Sequence, residues 1–374
     1  MSFILQNRLE VSISIDGKTY PLDPGTNTLT FLHMSCSTKG KLPTCHFKVT
    51  DTIKSLDQIF LQDGIPLQIT LKAYGSQTQI YNFRLFHKKK SFNGAAFEYE
   101  VDGYWNAPIY WTGTSEAGIQ GTSSEVLAQI AKTCGLQFKG VTTSDAQLWM
   151  QRNRYYADFA KIVAQHGFIT QSSYTVAGVD LTGTLLYVDA NNLPAPTTQL
   201  IAYQMVPGMY TVTDYKAVTK SGLNNNLTGY NNVRFTQSQA GSTLSSPNAT
   251  VQFTPDTTAP LFNTAVQQQA ARGYQTFGPI DVGNVHSNYE RAAYQNMRYA
   301  NLYSMDAEFM TLLPTPLTLF NTLNFSLETE NKKLDPAYSG TYITSGKAIY
   351  IQGTSYTEKI AASRTGTANP YTSG

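Results

Sequence analysis

A chain of 374 residues with a formal net charge of +2 and only 14% charged residues carries no field that would steer it to nucleic acid or a membrane surface. It is too long for one compact core, so two or three lobes are expected. Aromatic residues make up 12%, with 24 Tyr and 18 Phe, a composition that suits half-buried strands and broad interfaces. Cys36, Cys45 and Cys134 leave an odd thiol however they pair, which excludes a disulfide framework and points to reduced thiols. The start, MSFILQNRLEVSISI, turns polar at Gln6, and no apolar run reaches the ~18 residues of a membrane span. A soluble product made in the cytosol, without stable membrane insertion, is therefore expected.

From Leu9 to Ile15 apolar residues alternate with Glu10, Ser12 and Ser14, and Asp16-Gly17 turns the chain toward Thr19-Tyr20, which predicts a β-hairpin. Further on, His33, Cys36, Cys45 and His46 form an H-x-x-C and C-H set that could be imagined around zinc. Strand alternation argues against it, because Cys45 and His46 then point to opposite faces and His33 and Cys36 stand an odd number of positions apart. They are read as strand residues. Pro66 to Gly75, Ile80 to Lys88 and, after Asn93-Gly94, Ala96 to Val101 alternate again, so the first hundred or so residues predict an antiparallel sheet long enough to curl into a barrel. Lys88, Lys89 and Lys90 are the one basic cluster, placed between two strands, where they are a solvated hairpin end or face a channel or polyanion.

At Thr122 the period changes. TSSEVLAQIAKTCG opens with a capping box, Thr122 with Glu125, carries Val126, Leu127, Ile130 and Ala131 on one face, and ends at Gly135 as C-cap. A second helix follows with Asn153 as cap. Tyr155, Tyr156, Phe159, Ile162, Val163 and His166 fall within about a third of its circumference, and Gly167 closes it. Its aromatic crowding reads as packing, with Trp149, Tyr156, Phe159, Ile162 and Val163 as lobe core and Trp149 stapling the helix start. His166 is a core or capping histidine rather than a general base. With a strand at Leu185 to Ala190, residues 114 to 200 form a small α/β lobe. Thr219 to Thr258 is polar and nearly uncharged, an extended ribbon without a core of its own and held by neighbours. A third helix starts at a capping box, Ser287 with Glu290, and its stripe reaches Tyr303.

Strands return at Thr315 to Leu327, Gly340 to Gly346, Ala348 to Thr354 and Thr357 to Gly366, before an undocked polar tail. Pro316-Leu317 echoes Pro66-Leu67, which suggests two barrels of similar plan on either side of the lobe. Among acids that could serve a glycan-cleaving pair, Glu98 and Glu100 share one strand face and Glu328 and Glu330 another, but acids so placed mostly face solvent and the sequence argues for no cleft beside them. No nucleophile elbow, H-E-x-x-H or Gly-rich phosphate loop is present in the sequence.

TGTSSEVLAQIAKTCGLQF, then Trp149, Asn153, YADFAKIVAQHGF and the LLYVD strand together resemble the phage tail baseplate hub family, which is related to the hub-and-spike protein of type VI secretion. The flanks resemble its two barrels: DGIPLQITLKAYGSQTQIYNFRLFHKKKSFNGAAFEYEV the first, PLTLFNTLNFSLETENKKLDPAYSGTYITSGKAIYIQG the second. The resemblance implies an α+β, β-rich fold with two tube-type antiparallel β-barrels and an inserted small α/β lobe. The expected divisions are a first tube barrel at 1–112, the lobe at 113–200, connecting strands, polar arm and helix at 201–306, and the second tube barrel with the tail at 307–374. It further implies a homotrimer, six barrels in a ring, that adapts a sixfold tail tube to a threefold spike. The implied partners are a tail tube or distal tail protein, a spike protein and other baseplate proteins, with genomic DNA passing through the lumen. The product would be a virion structural protein assembled in the host cytoplasm, without catalysis or cofactor. Lys88, Lys89 and Lys90 are candidate channel-lining residues. No lysozyme domain or needle-like β-helix is fused, so wall digestion and membrane piercing would fall to separate chains. The rival readings are a glycan-binding or glycan-cleaving tail protein and a zinc protein using His33, Cys36, Cys45 and His46.

Overall fold

A computed structural model of the chain describes residues 9–21, 29–51, 63–73, 76–92, 94–170, 173–219, 232–236, 249–252, 275–279, 305–328, 333–335 and 338–364. The N-terminal hairpin forms as the alternation dictates: β1 (Glu10–Ile15) and β2 (Lys18–Pro21) pair antiparallel. The turn between them places Asp16 and Gly17 at φ of 50° and 75°, a left-handed pair that Asp tolerates and Gly enters freely. Next come β3 (Leu29–Ser37), β4 (Thr44–Asp51), β5 (Pro66–Lys72), β6 (Gln79–Phe92) and β7 (Phe97–Trp105). Their inward residues, among them Leu32, Met34, Phe47, Ile69, Phe83 and Val101, are buried and alternate with residues open to water.

The lobe follows with α1 (Pro108–Thr112), β8 (Gly118–Gly121), α2 (Ser123–Cys134), β9 (Gln137–Gly140), β10 (Gln147–Met150), α3 (Tyr156–His166), β11 (Thr175–Val179) and β12 (Thr184–Asp189). The α2 capping box is made as the spacing predicts. Thr122 Oγ1 accepts from the Glu125 amide, Glu125 returns the bond to the Thr122 amide at 2.8 Å, and Gly135 closes the helix at φ 75°. The α3 start differs from expectation. Arg152 and Asn153 sit at φ 52° and 59° in a left-handed turn, the Asn153 side chain donates to Glu116 at 2.7 Å, and the cap position falls to Tyr155 without a side-chain cap. The buried stripe differs as well. It runs through Ala157, Phe159, Ala160, Val163 and Ala164, while Tyr155 is exposed and Tyr156, Ile162 and His166 are half-buried. Small residues that the aromatic stripe hid do the close packing.

Strands β13 (Thr198–Ala202), β14 (Tyr210–Thr219), β18 (Met305–Thr311), β19 (Thr322–Ser326), β20 (Gly340–Gln352) and β21 (Ser355–Arg364) close a six-stranded barrel in the order β19, β13, β14, β18, β21, β20 and back to β19. Three short strands, β15 (Asn232–Thr236), β16 (Ala249–Gln252) and β17 (Gln275–Pro279), form a separate small sheet, so part of the expected polar ribbon is paired. The rest of that ribbon, the third helix from Ser287 to Tyr303 and the tail lie outside the described residues.

The same ladder that closes the barrel continues through β20 into β3, β4, β7, β6, β5, β1 and β2, so thirteen strands are joined in one hydrogen-bonded sheet. The two strands expected at Gly340 to Gly346 and Ala348 to Thr354 are one, β20, in which Gly346 marks a register shift rather than a turn. The expected strand at Thr315 to Leu327 is confined to its last part. Its first half is a buried loop whose alternation imitates a strand, and the Thr318 amide bonds to the Asn321 side chain instead of a ladder. The Pro316-Leu317 echo of Pro66-Leu67 accordingly disappears, because Pro66 opens a strand and Pro316 does not.

That loop is pinned by a buried ion pair. Lys347 Nζ donates to a Glu358 carboxylate oxygen at 3.1 Å and to the carbonyls of Thr315 and Leu317 at 2.9 and 3.1 Å. Glu358, with its side chain fully buried, also accepts from Tyr356 Oη, the Thr315 amide and the Thr315 hydroxyl. Glu358→Ala strands a buried ammonium and is expected to cost about 3–5 kcal/mol, whereas Lys347→Met combined with Glu358→Leu removes the stranded charge and is expected to cost less than the sum of the two single changes. Urea unfolding of the single and double variants against the unaltered chain measures both.

Candidate functional site

Among the described residues, an open sheet face and a cavity carry clustered chemistry. The open surface is the outer face of the N-terminal sheet. Register places Tyr350 of β20 opposite His33 of β3, His33 opposite His46 of β4, His46 opposite Asp102 of β7, and Asp102 opposite His87 of β6. Asp102 accepts from Nδ1 of His46 at 2.7 Å and of His87 at 3.3 Å, and the His33 and Tyr350 rings stack at 4.5 Å. Burial, then the charges of His46 and Lys359, lowers the His33 pKa. In the neighbouring row Glu100 meets Lys48 at 3.2 Å, His46 at 3.5 Å and Lys89 at 4.0 Å.

The zinc set falls apart along this alternation. Cys36 and Cys45 are buried on the inner face, while His33 and His46 face each other on the outer one. Among the described residues no group of three or more His, Cys, Asp or Glu is arranged to hold a metal ion. Burial pushes the thiols of Cys36 and Cys134 up to about 12 and raises that of Cys45 as well.

Lys88, Lys89 and Lys90 lie inside β6 rather than between strands, opposite Val101, Glu100 and Tyr99. A register shift between Leu85 and His87 turns Phe86 and His87 both outward. Beyond it the lysines alternate: Lys89 shares the face of Glu100, and Lys90 Nζ lies 4.0 Å from the Phe97 ring centre on the other. Of the lobe residues, Trp149, Phe159 and Val163 are fully buried, Tyr156 and Ile162 half so, and Trp149 donates to the Gly121 carbonyl at 2.9 Å. Glu98 and Glu100 stand on the open sheet face, Glu328 accepts from Gln204 at 2.8 Å, and Glu330 is outside the described residues.

The cavity, about 410 Å³, lies where the N-terminal sheet, the lobe and the barrel meet, and is lined by Cys36, Tyr81, Asp180, Thr315, Lys347 and Glu358 among others. Its charged groups are engaged internally. Lys347 and Glu358 hold the loop at 315–317, and Asp180 accepts from the amides of Thr182 and Thr184. Lys347 and Glu358 were not found by reading the sequence, because they sit on different strands and only the pairing of β20 with β21 brings them together.

No protein-family model and no curated protein matches the chain. Solved structures do match, over nearly its whole length. The 43 kDa tail protein of prophage MuSo2 from Shewanella oneidensis superposes with a TM-score of 0.63 at 12% identity, over 96% of this chain and 98% of that one. A tail protein from Neisseria meningitidis MC58 gives 0.62 at 9% identity over the same shares. The E. coli c3393 protein, a component of the type VI secretion system similar to the phage T4 tail proteins gp27 and gp5, gives 0.52 at 10% identity over 96% of this chain and 78% of that one. The chain thus shares the fold of these phage tail proteins and of a component of the type VI secretion system.

The thiols supply a direct check on the inner face. At pH 8 the folded protein is expected to give almost no reaction with an aromatic disulfide reagent, and three equivalents per chain in guanidinium. Rapid labelling of the folded chain contradicts the burial of Cys36, Cys45 and Cys134.

Proposed function

We propose that the chain is a structural protein of a phage-type tail, the central hub that joins a sixfold tail tube to a threefold spike as a homotrimer. The observation that carries this reading is the six-stranded barrel continued, through one shared strand, into a second large antiparallel sheet on the same chain. If both sheets act as tube barrels, three chains present six of them, and a threefold particle can meet a sixfold tube without breaking symmetry. In this reading 1–112 is the first tube barrel and 307–374 supplies most of the second, which β13 and β14 within 198–219 complete; 113–200 is otherwise the lobe between them and the rest of 201–306 the connection. The fold likeness to phage tail proteins over almost the full chain supports the assignment.

The partners are a tail tube or distal tail protein on one side, a spike protein on the other and further baseplate proteins at the rim, in a virion assembled in the host cytoplasm. Genomic DNA passes through the lumen. Strand alternation allows either Lys89 or the Lys88 and Lys90 pair to face that lumen, but not all three. The role needs binding surfaces and no catalysis. A glycan-cleaving tail protein would need a concave acidic pair, whereas Glu98 and Glu100 stand on an open sheet with Glu100 already paired to Lys48.

Light scattering over a range of concentrations tests the assignment. The expected mass is three times 41.3 kDa, and a mass of one chain at every concentration removes the hub.

A further inference from the structure

The cavity of about 410 Å³ falls within the ~300–1,000 Å³ of small-molecule pockets, and its charges do not cancel. Asp180 and Glu358 stand against Lys347 alone, which leaves one negative charge on its wall. The uncompensated group is Asp180, in the turn between β11 and β12 and only 6% exposed. Its Oδ1 accepts from the Thr182 amide at 2.9 Å, the Thr182 hydroxyl at 2.7 Å and the Thr184 amide at 3.0 Å. None of these bonds reaches Oδ2. Across the wall Tyr81 of β6, also 6% exposed, lines the same cavity, and its hydroxyl takes no hydrogen bond from the described residues. A buried carboxylate oxygen and a buried hydroxyl left open in this way cost free energy until a donor or an acceptor meets them.

The other polar groups narrow what can enter. Lys347 has three N–H donors, and the Glu358 carboxylate and the carbonyls of Thr315 and Leu317 take them. An anion therefore finds no free ammonium. A hard metal ion needs about six oxygen ligands, whereas no group of three or more His, Cys, Asp or Glu among the described residues is arranged to hold one. A neutral molecule would leave the Asp180 charge uncompensated. The remainder of the wall, with Leu71, Leu181, Leu317 and Ile349, is apolar and suits a hydrocarbon body.

We propose that this cavity binds a small organic cation, a primary amine on a short apolar body, with Asp180 Oδ2 as its counter-charge and the Tyr81 hydroxyl as a second hydrogen-bonding group. Such a ligand would touch the N-terminal sheet, the lobe and the barrel at once. The site is independent of the oligomeric state, so it stands or falls apart from the hub reading. Titration calorimetry on the full chain at neutral pH tests it, with hexylamine as probe and hexanol and hexanoate as its neutral and anionic counterparts. Hexylamine is expected to bind saturably, one per chain, and at least ~10-fold more tightly than hexanol, the worth of one hydrogen bond to a charged group. Asp180→Asn keeps an oxygen for Thr182 and Thr184 and is expected to weaken the amine ~10-fold while leaving hexanol unchanged. Tyr81→Phe is expected to weaken it ~3-fold. Thermal unfolding of both variants checks that they fold. Absence of saturable amine binding, hexanol or hexanoate bound as tightly as the amine, or amine affinity unchanged in either folded variant overturns the site. The three probes on the unaltered chain decide the matter even if Asp180→Asn fails to fold.

Discussion

The architecture depends on the backbone hydrogen bonds of one strand. The first residues of β20, Gly340 to Ile343, pair with β19, its second half pairs with β3, and β21 runs along most of its length. No single barrel can use a strand of 13 residues in that way; the strand leaves one barrel and enters the next sheet. The register shift between Thr344 and Gly346 is where it changes neighbours, and a side chain at Gly346 would stand 3.1 Å from the Cys36 carbonyl. The side chains follow the backbone. Tyr342 packs in the barrel core with Phe309 and Phe325, while Ile349 and Ile351 pack in the core shared by the N-terminal sheet and the lobe.

Two cores joined by a continuous ladder resist relative movement better than two domains on a linker, since bending at the junction would break hydrogen bonds that have no water to replace them. The Lys347 and Glu358 pair lies at that junction and fastens the loop at 315–317 across it. Buried ion pairs contribute little net stability compared with well-packed apolar residues, but they penalise any arrangement that separates the partners. Here such a penalty acts where the six-stranded barrel meets the N-terminal sheet. The histidine row on the outer face is placed differently, at an open surface where His46 and His87 share Asp102.

Local signals were legible in the sequence and pairing was not. The α2 cap could be read from Thr122, Glu125 and Gly135 because every partner lies within one or two turns of the next. The inner and outer placement of Cys45 and His46 followed from alternation alone. Asn153 misled because an asparagine before a helix serves equally as a cap or in a left-handed turn, and the choice was made by Glu116, far away in sequence. The loop at 315–321 misled because a buried extended segment alternates like a strand whether or not it has a ladder partner. The row from Tyr350 to His87 needed four strand registers at once, none of which composition encodes. What the resemblance to tail hubs contributed was an expected order of barrel, lobe and barrel.

The most direct measurement is end-on electron microscopy of the purified assembly with averaging of the projections. The account predicts a particle of three chains whose rim shows six density lobes around an open centre, alternating in pairs because the two sheets of each chain differ. A six-chain ring, a twofold particle or a rim with three lobes only would contradict it.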